Sequence, residues 1–394
     1  MVSMMKTAKK ELEIYIHIPF CVRKCNYCDF LSVPADDATK EAYMEALCRE
    51  IVEKGKEYVA YEVSTIFIGG GTPTAVPAGG IKGVVEAVRL NYDLRDDIEI
   101  TMEMNPGTVD ATALKVYKEA GINRLSIGLQ STESGELQSL GRIHSYEQFL
   151  DTYRLAREAG FLNINVDIMS ALPGQTFESY ERTLQRVVQL VPPPEHISAY
   201  SLIIEEGTPF YEAYESDSLQ LPDEDTERKM YEFTGSFLEQ YGYERYEISN
   251  YAKPGKECRH NLGYWERKNY VGFGIGAASL VENVRFHNNK DMQKYIKNPY
   301  HMEENRQTLS VTEQMEETMF LGLRKTKGVA LQSFEKVFGM PMLQVYGEVI
   351  NKHVAEGLLE FWEDTKGRKY LALTPKGMDV SNYVMADFLE PSIF

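Results

Sequence analysis

Between Ile14 and Ile204 the sequence alternates between short β-rich runs and amphipathic helical stretches. Six runs have strand composition: "IYIHI", "TIFIG", "IEITMEMN", "RLSIGLQ", "NINVDIMS" and "HISAYSL". Helix-like segments separate them, from "KEAYMEALCREIVEKG" to "TFESYERTLQRVVQL". This order predicts an α/β fold in which helical crossovers join parallel strands. The order alone does not distinguish an open doubly wound sheet from a barrel.

The predicted strands each carry one apolar and one polar face. In the fifth run Ile164, Val166 and Ile168 alternate with polar residues. The polar sets of three runs are Glu99, Thr101, Glu103 and Asn105; Ser126, Gly128 and Gln130; and Asn163, Asn165 and Asp167. Helices covering the isoleucine face would leave the polar set around a cavity, which favours a partial TIM-like (β/α)6 barrel with a polar ligand. A sheet with one solvated face is the alternative.

Composition limits the classes of function. The chain has 394 residues, 43% apolar residues and a net charge of −17, which argues against a general affinity for nucleic acid. The start of the sequence lacks the apolar stretch of a signal peptide, and no run is long enough to span a membrane. We therefore expect a cytoplasmic protein, in which clustered cysteines hold metal or perform redox chemistry.

The strand–helix rhythm changes after about residue 210. A charged helix and a passage rich in tyrosine and glycine lead to about Asn289, and from Val311 helices are followed by a hairpin. We predict three domains: a barrel over 1–210, an extension over 211–310, and a mostly helical, winged-helix-like domain over 311–394. Acidic residues outnumber basic ones in the last range, which favours a structural or lid role over DNA binding.

Three of the five cysteines lie within eight residues, as Cys21, Cys25 and Cys28 of "YIHIPFCVRKCNYCDF". They follow the first predicted strand, and the carboxyl ends of strands carry the sites of α/β folds. Three thiolates can bind three irons of a 4Fe-4S cluster, which leaves the fourth iron open to another ligand. Structural zinc with His17 as a fourth ligand is the competing interpretation, although His17 lies on the strand itself.

The motif "HIPFCVRKCNYCDF" resembles the cluster motif of the radical S-adenosylmethionine (SAM) superfamily, whose members let SAM chelate the fourth iron. "IGGGTPT" after the second strand is similar to the glycine motif of that family. The resemblance implies a 4Fe-4S cluster on Cys21, Cys25 and Cys28 and SAM as a cofactor. It assigns SAM contacts to Tyr15, Tyr27, Gly70, Gly71, Thr72, Glu103, Gln130, Arg142 and Asp167.

Within that superfamily the sequence resembles the coproporphyrinogen III dehydrogenase-like group over nearly its whole length. Segments that carry the resemblance include "EMNPGT", "GRIHS" and "DIMSALPGQT". The porphyrinogen-decarboxylating enzymes of the group have another cysteine two positions after the third and a longer segment before the motif. Here Phe30 occupies that position and twenty residues precede Cys21. Both differences favour the heme-chaperone branch, and radical SAM decarboxylation of coproporphyrinogen III is the enzymatic alternative.

The heme-chaperone branch has an H-N-x-x-Y-W motif, present here as "HNLGYW" from His260 to Trp265. Imidazole is a good iron ligand and aromatic rings stack on a porphyrin, so the resemblance implies heme contacts by His260, Tyr264 and Trp265. A turn held by a structural histidine is the local alternative. Cys258 could attach heme, but a plain buried thiol is the simpler expectation, as for Cys48.

The resemblance also implies partners. They are heme, a respiratory, membrane-associated heme-acceptor protein, and an electron donor such as a flavodoxin or ferredoxin. A zinc-stabilised winged-helix DNA binder is a third class of function, which the charge and the predicted polar cavity disfavour.

Overall fold

The computed structural model describes residues 9–389, which form fifteen strands and fifteen α-helices. The strands are β1 (Lys10–Ile18), β2 (Tyr61–Gly70), β3 (Asp93–Met104), β4 (Arg124–Gln130), β5 (Ile164–Ser170), β6 (His196–Ser201), β7 (Glu244–Arg245), β8 (Asn250–Ala252), β9 (Tyr270–Phe273), β10 (Ala278–Val281), β11 (Val284–Asn288), β12 (Glu303–Thr308), β13 (Val329–Ala330), β14 (Leu359–Glu363) and β15 (Lys369–Leu373).

The helices alternate with β1 to β6 and then dominate the end of the chain. They are α1 (Asp37–Lys54), α2 (Ala78–Asn91), α3 (Ala111–Ala120), α4 (Ser134–Ser139), α5 (Tyr146–Glu158), α6 (Phe177–Val188), α7 (Pro209–Glu215), α8 (Glu224–Glu239), α9 (Arg259–Trp265), α10 (Met292–Lys297), α11 (Val311–Gly322), α12 (Leu331–Phe338), α13 (Met342–Ala355), α14 (Pro375–Asp379) and α15 (Ser381–Ala386). Within residues 9–389 no helix is long and apolar enough to cross a lipid bilayer.

The predicted α/β class is confirmed, and all six predicted strand runs form strands β1 to β6. Local signals set the helix boundaries: Asp36 accepts a hydrogen bond from the Thr39 amide at the start of α1, and Ser145 and Gln148 form a capping box at α5. The helix-like segments recognised in the sequence did not include the short helices α4 and α7.

The chain divides into two compact units, each made of separate stretches of sequence. Among the described residues, the first unit comprises 9–167, 203–220 and 268–307, and the second comprises 168–202, 221–267 and 308–389. These units differ from the predicted ranges 1–210, 211–310 and 311–394, because strands β9 to β12 join β1 in the first unit although they lie far from it in sequence. The three predicted ranges stay a prediction.

The first unit contains a mainly parallel sheet. Its strands lie in the order β12-β11-β10-β9-β1-β2-β3-β4, followed by the first residues of β5. In the parallel pair β1–β2, Ile14 lies opposite Ile66 and Ile16 opposite Ile68, and all four side chains are fully buried. The isoleucine face is therefore the covered face, as the alternation predicted, and the polar residues of the same strands point to the other side.

The second unit contains the last residues of β5 followed in sheet order by β6, β8 and β7, of which β6–β8 and β8–β7 pair antiparallel, together with the C-terminal helices. Helices α11 to α13 precede the hairpin β14–β15, and β13 pairs with β15 to give a three-stranded sheet. This is the predicted winged-helix-like arrangement. Its apolar core includes Met319, Val345, Ile350 and Leu371.

Candidate functional site

The three clustered cysteines lie on a loop that leaves the end of β1. Their thiols are half-buried, and none of them forms a disulfide. The loop is held to the α4 region by Asn26, whose amide nitrogen donates to the Leu140 carbonyl at 3.0 Å and whose side chain donates to the Ser139 carbonyl at 2.8 Å. The hydrogen bonds of Asn26 therefore fix the conformation of the loop through protein groups alone.

The glycines that follow β2 let the chain approach the cysteine loop closely. Gly70 has a φ of +111°, and a Cβ at this position would lie 2.4 Å from the His17 ring. A Cβ on Gly71 would lie 2.7 Å from the Phe20 carbonyl oxygen. The immediate reason for both glycines is thus packing against β1 and the cysteine loop, while their expected contact with SAM stays a prediction.

His17 does not serve as the fourth ligand of a zinc site in this geometry. Its Nδ1 lies 3.0 Å from the Tyr15 hydroxyl, and its Nε2 lies 2.9 Å from the Leu31 carbonyl oxygen. Both ring nitrogens are therefore engaged, and burial lowers the histidine pKa. Within residues 9–389 no three His, Cys, Asp or Glu side chains converge on one metal ion. The folded geometry does not support the zinc interpretation.

A hydrogen-bonded chain of side chains links two of the cysteines. The Sγ of Cys21 lies 3.4 Å from Thr72 Oγ1, which accepts from Asn105 Nδ2 at 2.8 Å. Asn105 Oδ1 accepts from Arg142 Nη2 at 2.8 Å, and Arg142 Nη1 lies 3.7 Å from Cys25 Sγ. Thr72 and Arg142 were predicted site residues. Asn105 was recognised only as a polar-face residue, and its position at the carboxyl end of β3 is the signal that could have identified it.

Two carboxylates lie on the polar strand faces, as the alternation predicted. The Oε2 of Glu103 accepts a hydrogen bond from the Gly70 amide at 3.1 Å. Asp167 accepts from Asn165 Nδ2 at 2.6 Å and from Ser126 Oγ at 3.2 Å. Burial and the neighbouring Asp167 charge raise the pKa of Glu103 to about 7. A cationic group that binds beside these carboxylates would relieve their repulsion.

The remaining predicted SAM residues surround the same polar face. Tyr15 packs against Phe67, with ring centroids 6.4 Å apart. Burial raises the pKa of Tyr27, and the charges of Arg142, Cys25, Cys28 and Asp167 also act on it. Gln130 is buried with a φ of +68°, and its Nε2 would lie 3.0 Å from a Cβ on Gly128.

These residues fit a cluster with an open iron. Cys21, Cys25 and Cys28 have half-buried thiols on one loop, and three thiolates can bind three irons of a 4Fe-4S cluster. Burial and the nearby Cys25 and Cys21 raise the pKa of the Cys28 thiol to about 11, and bound iron would offset that cost by stabilising the thiolate. The carboxylates and backbone groups beside the loop supply acceptors for an amino acid-like ligand.

The H-N-x-x-Y-W segment forms helix α9 in the second unit. His260 and Tyr264 lie four residues apart on one face, where the imidazole Nε2 is 2.9 Å from the tyrosine hydroxyl. The His260 side chain is only 1% exposed, so this nitrogen must leave the hydroxyl before it can bind iron. Cys258 is fully buried just before the helix, in agreement with a plain buried thiol.

The fold and the cysteine loop together define a radical SAM protein. The family model of the radical SAM superfamily matches residues 15–187, and that of the HemN C-terminal domain matches residues 309–380. The chain belongs to the HemW family within that superfamily. The "Heme chaperone HemW" of Lactococcus lactis is 36% identical over 97% of this chain and 98% of its own length.

Other relatives agree with this assignment. The "Heme chaperone HemW" of Bacillus subtilis is 38% identical, with 95% of this chain and 98% of the relative covered. The protein of the same name from Escherichia coli is 42% identical over 68% of this chain and 70% of its length. Among solved structures, coproporphyrinogen III oxidase (HemN) from Escherichia coli matches with a TM-score of 0.81 at 23% identity, covering 96% of this chain and 90% of that one. The last likeness concerns the fold alone.

Proposed function

We propose that this protein is a heme chaperone that carries a SAM-ligated 4Fe-4S cluster, binds heme, and passes it to an acceptor protein. Full-length relatives that bear the name heme chaperone support this proposal. The observation in the chain itself that carries it is the H-N-x-x-Y-W helix, which presents an imidazole, a phenol and an indole within seven residues. These are groups that ligate or stack on heme.

The first unit would hold the cluster and SAM. When bound, a 4Fe-4S cluster on three cysteines supplies one iron that the amino and carboxylate groups of SAM can chelate. Cys21, Cys25 and Cys28 would bind the cluster, while the hydrogen bonds of Asn26 hold the loop in place. Glu103 would accept a hydrogen bond from the amino group of SAM, and the Thr72–Asn105–Arg142 chain would orient the thiols.

The alternative activity is oxygen-independent decarboxylation of coproporphyrinogen III. Phe30 stands where those enzymes are expected to have a further cysteine, and its side chain is 62% exposed on the cysteine loop. Phe30 carries no thiol, so this position does not provide the further cysteine of those enzymes. The likeness to the coproporphyrinogen oxidase extends to the fold and does not decide between the two activities.

We further propose a membrane-associated respiratory heme protein as the acceptor and a flavodoxin or ferredoxin as the electron donor. The net charge of −17 makes a basic acceptor surface the natural complement. A cytoplasmic location is part of the same proposal.

Replacement of His260 tests heme binding at α9. Heme titration of the wild-type protein under anaerobic conditions should give a saturable Soret shift. His260→Ala removes the imidazole and should weaken affinity about tenfold or more and change the Soret maximum, since a metal–ligand bond is lost. His287→Ala, which alters a histidine on β11 of the first unit, is the control and should titrate like the wild type.

Two results would contradict the proposal. An absence of saturable heme binding by the wild-type protein would remove the chaperone function. Conversion of coproporphyrinogen III with release of 5'-deoxyadenosine would replace it with the enzymatic alternative.

A further inference from the structure

Helix α9 is fixed at its C-terminal end by two ion pairs within the second unit. Arg267 Nε lies 2.9 Å from Glu317 Oε2 on α11, and Lys325 Nζ lies 3.4 Å from Glu266 Oε1. The first pair joins the end of α9 to α11, and the second joins it to the turn that follows α11. Trp265, the last residue of α9, is therefore held against this turn.

The Arg324 guanidinium packs on the face of the Trp265 indole. Its Cζ lies 4.5 Å from the ring centroid, which is within the range of a cation–π contact. Arg324 is half-buried, and burial lowers its pKa even though the nearby Glu247 charge raises it. Burial of a guanidinium is costly, and the Glu247 charge offsets only part of that cost, because the net shift of the Arg324 pKa is downward.

Two donors at this contact have no acceptor among residues 9–389. They are the Nε of Arg324 and the Nε1 of Trp265, and both atoms are buried. Glu247 acts on Arg324 through its charge, but its Oε1 accepts hydrogen bonds from the Ser249 amide and the Asn250 side chain. Buried donors without acceptors are rare in folded proteins, and each calls for a missing partner.

We propose that Trp265 and Arg324 form a carboxylate-binding site that receives a propionate group of heme. The identity of the ligand rests on the proposed function. A guanidinium presents a fork of donors that matches a carboxylate, and the indole N–H adds a donor beside it. His260 lies five residues before Trp265 on the same short helix, so an iron ligand and a carboxylate site come from one element. Arg324 thus joins the heme-contacting residues although it lies outside the H-N-x-x-Y-W motif.

Blocking the propionates of the ligand tests this site directly. The full-length protein is titrated with heme and with heme dimethyl ester, whose propionates are uncharged, and the dissociation constant of each is read from the Soret band. The wild-type protein should bind heme about 10- to 100-fold more tightly than the diester, the range expected for a charge-assisted hydrogen bond.

Substitution of the arginine should remove this preference. Arg324→Met keeps the aliphatic stem but not the charge, so heme and its diester should bind with affinities within about threefold of each other. Trp265→Phe keeps an aromatic ring without the N–H and should lose part of the preference. Arg228→Met is the matched control, since Arg228 is an exposed arginine of the same unit that pairs with Asp379, and it should keep the full preference.

The outcomes separate this inference from the proposed function. Equal binding of heme and diester by the wild-type protein, or an Arg324→Met variant with an unchanged preference, would overturn the carboxylate site and leave a buried water as the partner of the two donors. The wild-type comparison stands even where a variant fails to fold. If neither porphyrin binds saturably, the proposed function fails, and the carboxylate site fails with it.

Discussion

Glu103 shows how one residue of the first unit joins fold and chemistry. The alternation of β3 places it on the polar face, the Gly70 amide donates to it, and burial with the Asp167 charge raises its pKa to about 7. In the unfolded chain the pKa is close to the ordinary 4.5, so the free energy of unfolding of the ligand-free protein should fall as pH rises from about 4.5 to about 7. A cationic ligand would reverse this cost.

The pH dependence of SAM affinity tests this role of Glu103. The SAM amino group must be neutral to chelate iron, and below about pH 7 the Glu103 carboxyl must also lose a proton to accept a hydrogen bond from it, so affinity should rise more steeply with pH below pH 7 than above it. Glu103→Gln should weaken binding about 10- to 100-fold at pH 8 and leave only the shallower rise that comes from the amino group. Isothermal titration calorimetry between pH 5.5 and 8 measures both effects.

Glu99→Gln is the control for that experiment. Glu99 lies on the same face of β3, four residues earlier, and its substitution should leave the rising profile intact. A Glu103→Gln variant whose SAM affinity rises with pH as steeply as that of the wild type would show that Glu103 does not contact the amino group.

Among the elements, the turn between β2 and a short 3-10 helix (Pro73–Ala75) positions the cysteine loop. Gly71 donates to the Ile18 carbonyl at 2.9 Å and Thr72 to the Phe20 carbonyl at 2.7 Å, so the end of β2 supports the first residues after β1. These hydrogen bonds hold the carboxyl ends of β1 and β2 together, and a side chain at Gly70 would disturb both ends.

Gly70→Ala should destabilise the protein and reduce its capacity for a cluster. The left-handed backbone and the contact 2.4 Å from the His17 ring together should cost at least about 2 kcal/mol. Thermal unfolding measures the stability, and iron and sulfide analysis after anaerobic reconstitution measures the cluster.

Gly83→Ala is the matched control for the turn. Gly83 lies inside α2 with no atom within 4 Å of an added Cβ, so alanine should stabilise the helix by up to about 1 kcal/mol. Equal stability of the two variants would contradict the role assigned to Gly70.

For the molecule as a whole, the sequence predicted the positions of the strands better than the contacts that individual side chains make. Strand composition identified β1 to β6, and the alternation of apolar with polar residue types identified the polar faces with Glu103 and Asp167, because both signals lie in consecutive residues. Neither signal predicted that Gly70 packs on His17, since that contact joins two strands. No local sequence pattern identified Arg324. Its role is inferred from its contact with Trp265, which lies 59 positions earlier in the sequence.

The two compact units divide the proposed chemistry between them. The cysteines and the predicted SAM residues belong to the first unit, whereas His260, Trp265 and Arg324 belong to the second. The proposed heme chaperone thus has its cluster site in one unit and its heme site in the other. The cysteine loop of the first unit lies within the range that the radical SAM family model matches.

Electron–nuclear double resonance of the reduced, reconstituted protein with isotopically labelled SAM tests that site most directly. We predict a cluster of about four irons per chain with hyperfine coupling to the labelled amino nitrogen and carboxylate oxygen of SAM. The cluster should be lost in Cys25→Ser and kept in Cys48→Ser. A cluster that survives replacement of Cys21, Cys25 and Cys28, or one that shows no coupling to bound SAM, would contradict the account.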